Sequence, residues 1–124
     1  MNPFKKALLD LPRWSDTDVS SFGSLYTLDG IVPARCSNLN EWMVWFENYD
    51  RAVCRDEMPD GTLVSTVFLG INHQMGPGLP LLFETMVFGG ALDHQQWRYS
   101  TWREAEQGHA AVLAAVLNPA APMP

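Results

Sequence analysis

A chain of 124 residues, 47% apolar with five Trp and six Phe, can bury one core unaided, and two cysteines are too few for a disulfide framework or a zinc site. Fourteen acids against eight scattered bases give a net charge of -6, which excludes the basic face of a nucleic-acid binder and argues against an anionic membrane surface. No run approaches the ~18–20 apolar residues that cross a bilayer and no signal-length apolar stretch follows Lys5-Lys6, so the expected location is the cytoplasm, with Cys36 and Cys54 reduced and mostly buried.

Asn2 as cap and Pro3 at the first helical position predict a short helix over residues 2–10, stopped by Pro12. The polar stretch from Arg13 to Ser24 reads as loop, so residues 1–24 form an N-terminal arm. Residues 24–28 and 31–35 flank Asp29-Gly30, a dipeptide suited to a type I′ hairpin turn, and Pro33 places the second strand at an edge. Residues 37–48 predict a helix capped by Ser37 or Asn38, with Glu41 three residues after Asn38 and a buried stripe of Leu39, Trp42, Met43 and Phe46. Trp45 falls off that stripe, toward another element or solvent.

Residues 51–56 lead to a turn at Pro59-Asp60-Gly61. The β-branched run 62–70 is a strand, 72–80 a loop with two Gly and two Pro, and 81–88 another strand closed by Gly89-Gly90. Trp97-Arg98-Tyr99 reads as a short edge strand. Ser100 or Thr101 caps a final helix over 102–117, ended by Asn118-Pro119, with a frayed tail over 118–124. The order hairpin, helix, three strands, helix predicts one α+β domain over 25–117. Its antiparallel β-sheet should carry two helices packed mainly on one face.

Chemistry has few places to sit. His73 lies in the loop between the two best strands, where a turn imidazole bonded to nearby backbone competes with a functional role. His94 is expected to be exposed. Glu106 and His109 form a single Glu-x-x-His; a di-iron bundle needs two copies and more helices, so His109 is expected to be partly buried and bonded to a neighbour. Glu84 interrupts an apolar strand, on the face of Leu82, Met86 and Phe88, and should form an ion pair with Arg98, Tyr99 or His73 as partner, or contact a ligand. Trp97 and Tyr99 beside Arg98 suit a binding surface, or else pack over the open face of the sheet. No nucleophile elbow, phosphate loop or His-Glu-x-x-His occurs, so no catalytic residue, metal or cofactor is expected.

Residues 40–47 with Asp50-Arg51, Val64-Ser65-Thr66-Val67-Phe68-Leu69-Gly70-Ile71-Asn72-His73, residues 81–90, and Tyr99-Ser100-Thr101-Trp102 with Glu104-Ala105 and Gly108-His109 carry a resemblance. Together they resemble a family of small uncharacterised phage and prophage proteins, over roughly residues 25–116. Family members usually have Asp at the position of Asn72. The resemblance implies expression in a bacterial host cytoplasm and action by binding a host protein, such as anti-CRISPR-like inhibition of a defence complex. The alternatives are a small-ligand or nucleotide protein (a sponge or weak hydrolase) built from Asn72, His73, Glu84, Tyr99 and His109, and a virion assembly part. Asn72, His73, Glu84, Trp97, Arg98, Tyr99 and His109 are therefore the candidate ligand- or partner-binding residues. The expected partner is a host protein with a basic surface; homodimerisation is compatible with the sequence.

Overall fold

The computed structural model describes residues 24–74, 76–118, 120 and 122–124, so the helix expected over 2–10 and all of the arm before Ser24 lie outside the described residues. Strands β1 (Leu25–Asp29) and β2 (Val32–Cys36) pair antiparallel, with Asp29 opposite Val32. The loop is therefore Gly30-Ile31, one residue later than expected. Gly30 alone in it has a positive φ, +62°. That is the pattern of a type II′ turn, which asks for glycine only at its first central position and leaves Asp29 extended within the strand. Pro33 sits on β2, which among the described residues pairs only with β1, in keeping with its missing N–H. On the other side of β1, the Tyr26 N–H donates to the Gly70 carbonyl at 2.8 Å, and the Asn72 N–H donates to that of Ser24 at 3.0 Å.

Helix α1 (Leu39–Asn48) is capped by Asn38, whose side chain accepts the Glu41 N–H at 3.0 Å. Its inward stripe buries Trp42 and Phe46 against Leu25 and Ile71. The Trp42 indole N–H is shared by the carbonyls of Tyr26 and Gly70, at 2.9 and 3.1 Å. Gly70 has φ +77°, and a Cβ there would stand 3.1 Å from Trp42 Cζ2, so this corner needs glycine for both backbone and space. Trp45 points to a second element: its ring meets Phe68 edge-on at 5.7 Å.

Four strands follow, not three. β3 (Ala52–Glu57), β4 (Leu63–Phe68), β5 (Phe83–Phe88) and β6 (Gln96–Tyr99) form an antiparallel sheet in that order. β3 carries Arg55, Asp56 and Glu57 and an irregular register between Ala52 and Cys54, so it shows no apolar alternation to find in the sequence. Helix α2 (Trp102–Leu117) starts at Thr101, which caps Glu104 N–H, and lies across one face of the sheet against all four strands. α1 instead packs on the β1–β2 hairpin. The result is the expected α+β fold with antiparallel sheets and two helices.

Between sheet, hairpin and α2 sit Leu28, Phe68, Leu82, Phe83 and Ala105, with Phe68 and Phe83 edge to face at 5.2 Å. Farther along the sheet, Val64 and Val87 meet Val112 of α2. Full burial of such side chains contributes about 1.5–3 kcal/mol each. Leu82 departs from the expected alternation. It precedes β5 and is buried, while Met86 and Phe88 keep the outward face with Glu84. No helix among the described residues is long and apolar enough to cross a membrane.

Candidate functional site

Pairing register decides which side chains face α2. Thr66 opposes Thr85, and Thr85 opposes Trp97, all directed to the helix-covered face between the valine pair Val64–Val87 and the aromatic pair Phe68–Phe83. Each central strand thus places one hydroxyl in an otherwise apolar stripe. α2 brings His109, only 4% exposed, down onto them. The Thr66 hydroxyl lies 2.7 Å from His109 Nδ1 and 2.5 Å from the Thr85 hydroxyl. Tyr99 O–H donates to Thr85 Oγ1 at 3.1 Å, and His109 Nε2 lies 2.7 Å from Asp56 Oδ2 on β3.

One proton assignment satisfies every member of this chain. Tyr99 donates to Thr85, Thr85 to Thr66, Thr66 to His109 Nδ1, and His109 Nε2–H to the Asp56 carboxylate. The five residues come from all four strands and α2. Asp56, with a side chain 47% exposed, is the solvated end.

The order acid, imidazole, hydroxyl is that of a hydrolytic triad. Here Thr66 and Thr85 are 0% exposed and the Thr66 oxygen is already engaged twice, so no substrate carbonyl can reach it. The array is a buried cross-tie between sheet and helix, satisfied at each atom as buried polar groups require. Burial pushes the Tyr99 phenol above its ordinary value, opposed by its bond to Thr85. Cys54 is held protonated: burial pushes its thiol up, and the carboxylates of Glu106 and Asp56 push in the same direction. A protonated thiol is a poor nucleophile.

The other candidates are dispersed. Asn72 is a clasp; its Oδ1 accepts the N–H groups of Gln74 and Leu81 at 2.8 and 3.0 Å, closing the loop between β4 and β5. His73 Nδ1–H donates to the Ile71 carbonyl at 2.8 Å. Glu84 pairs across the strands with Arg98 at 3.0 Å on the sheet face away from α2. Glu84 and His109 thus lie on opposite sides of the sheet, and the structure does not bring Asn72, His73, Glu84, Tyr99 and His109 into one pocket. Trp97 packs with Val64, Val87 and Val112, and Tyr99 packs against the Phe68–Phe83 core, both on the helix-covered face; of the three neighbours only Arg98 points outward. The exposed His94 pairs with Asp93 at 2.9 Å.

Asp56, Thr66 and Thr85 were not singled out from sequence. A threonine at the centre of each inward stripe was the available signal. Arg51 Nε is the one buried side-chain polar atom without a hydrogen-bond partner among the described residues, and the guanidinium carbon lies 3.7 Å over the Phe46 ring in a cation–π contact. No group of three or more His, Cys, Asp or Glu among the described residues is placed to hold a metal ion. Comparison with protein-family models, with curated proteins and with solved structures found no match to this chain.

Proposed function

We propose that this is a phage-encoded accessory protein that works in the bacterial cytoplasm by binding a host protein with a basic surface, in the manner of an anti-CRISPR inhibitor, without catalysis of its own. One observation carries the binding half of this reading. The three bases and three acids before Ser24 cancel, so the whole net charge of -6 belongs to residues 24–124. There the carboxylates of Asp29, Glu41, Asp50, Glu57, Asp60, Asp93, Glu104 and Glu106 stand on exposed residues. A surface of that sign steers a basic partner at long range, and the attraction falls with ionic strength.

The sealed Asp56–His109–Thr66 array supports the non-catalytic half, because its hydroxyl is out of reach of any substrate. The test is capture of host proteins on the immobilised full chain at low and high salt, followed by assay of any captured defence nuclease with and without the protein. Salt-sensitive retention of a basic protein whose activity drops is the expected result. A captured set without basic members, or a nuclease unaffected at saturating protein, overturns the reading.

A further inference from the structure

A cavity of about 240 Å³ opens where the end of α2 meets the turn after β5, far along the sheet from Tyr99. Its floor is buried and mostly aliphatic: Val87 of β5 at 0% exposure, Ala115 of α2 at 6%, and Thr62 at 5%. Leu92 and Val116 form the walls. The mouth is exposed and carries Asp60, Gly89, Gly90 and Met123.

The opening exists because of the glycine pair. Gly89 and Gly90 have φ of +92° and +71°, and a Cβ on Gly90 would stand 3.1 Å from Thr62 Oγ1. The turn therefore brings bare backbone over Thr62 and leaves the space beside it unfilled. Two sources of negative potential border that space. Asp60 is held ionised, its carboxyl lowered chiefly by accepting the Thr62 N–H, at 2.9 Å. The C-terminal end of α2 carries the negative pole of its macrodipole, and no basic residue stands in its last turn to neutralise it.

An apolar floor beneath a negative rim selects a cation with a compact greasy body. We infer that this cavity is a binding site for a small primary amine carrying an aryl or short alkyl group, the body on Val87, Ala115 and Leu92 and the ammonium at Asp60. The volume fits such a molecule, since an aliphatic cavity of about 150 Å³ already accepts benzene. The inference is independent of the partner reading and uses none of the buried relay.

The test is a titration of the ¹⁵N-labelled full chain with 2-phenylethylamine, and in parallel with 2-phenylethanol, which has the same body without the charge. The amine is expected to shift the amides of Thr62, Gly89–Leu92 and Ala115–Leu117 saturably, and to bind about threefold to fivefold tighter than the alcohol, the scale of one exposed ion pair. Asp60→Asn should shrink that preference to what the α2 terminus alone supplies while keeping the turn, because an Asn side chain still accepts the Thr62 N–H. Ala115→Leu fills the floor and should abolish both titrations, its dispersed spectrum showing that the chain still folds. Shifts that stay absent up to ten millimolar amine, that map elsewhere, or that are equal for amine and alcohol overturn the assignment.

Discussion

The ring of Tyr99 occupies the space that a side chain at position 108 would need: a Cβ on Gly108 would collide with Tyr99 Cε1, Cζ and the phenolic oxygen. A glycine inside α2 costs about 1 kcal/mol relative to alanine in helix propensity. The Tyr99 ring lying flat against the helix, with its hydroxyl delivered to Thr85, offsets that cost. Gly108→Ala is therefore expected to destabilise the fold by about 1–3 kcal/mol despite the better helix former, the scale of overpacking. Urea unfolding checks this. With Tyr99→Ala in the background, Gly108→Ala should turn neutral or stabilising; additive effects of the two changes would contradict the packing account.

The buried relay makes a prediction about coupling. Thr66→Val keeps the shape but leaves His109 Nδ1 without its donor and Thr85 without its acceptor, so a loss of about 1–3 kcal/mol is expected. Thr85→Val should cost less, since Thr66 still donates to His109 and the partly buried Tyr99 hydroxyl can turn to water, and Thr66→Val with Thr85→Val should cost less than the sum. His109→Ala opens a cavity and strands Thr66 as well, so it should be the most damaging, at roughly 3–5 kcal/mol.

Alkaline stability follows from Tyr99 and Cys54. Both are acids raised in the folded state, so each favours the fold in its protonated form. That contribution is whole below the ordinary values of 9.0 for the thiol and 10.0 for the phenol, and it is lost as pH rises through the higher folded values. Unfolding free energy is expected to fall from about pH 9 upward. Tyr99→Phe with Cys54→Ala should flatten that slope, measured by urea titrations between pH 7 and 11. Iodoacetamide should also alkylate Cys54 more slowly than free cysteine at pH 7.5.

The Glu84–Arg98 pair should matter little. It lies on the sheet face away from α2, with Glu84 15% and Arg98 36% exposed, and pairs of this kind contribute at most about 1 kcal/mol. Glu84→Gln should leave the melting temperature within a few degrees of the parent and reduce its dependence on added salt. A large loss would mean that another group relies on the carboxylate.

What the sequence disclosed is what periodicity and capping encode. The stripe through Trp42 and Phe46, the Asn38 and Thr101 caps (each one of two neighbouring candidates) and the β-branched run around Val64 were legible because each is a local signal. β3 was not, since a charged, irregular edge strand has no alternation to display. The Glu84–Arg98 pair was anticipated among three options, but the choice depended on the register between β5 and β6. The relay was hidden for a related reason. Asp56 and His109 are 53 positions apart, and only the stacking of four strands under one helix makes them neighbours. His73, singled out as a loop imidazole, is bonded to the backbone two residues away, the plainer of its two readings.

The three rims of the sheets share a property. Pro33 removes a donor from β2, the irregularity at Ala52–Cys54 distorts β3, and β6 is four residues long and carries Arg98. Each defect spoils the template on which a stray extended segment would zip itself into place. Crowded copies of this molecule should consequently resist fibre growth, and recognition of another protein falls to side-chain chemistry, where charge and shape can discriminate among partners.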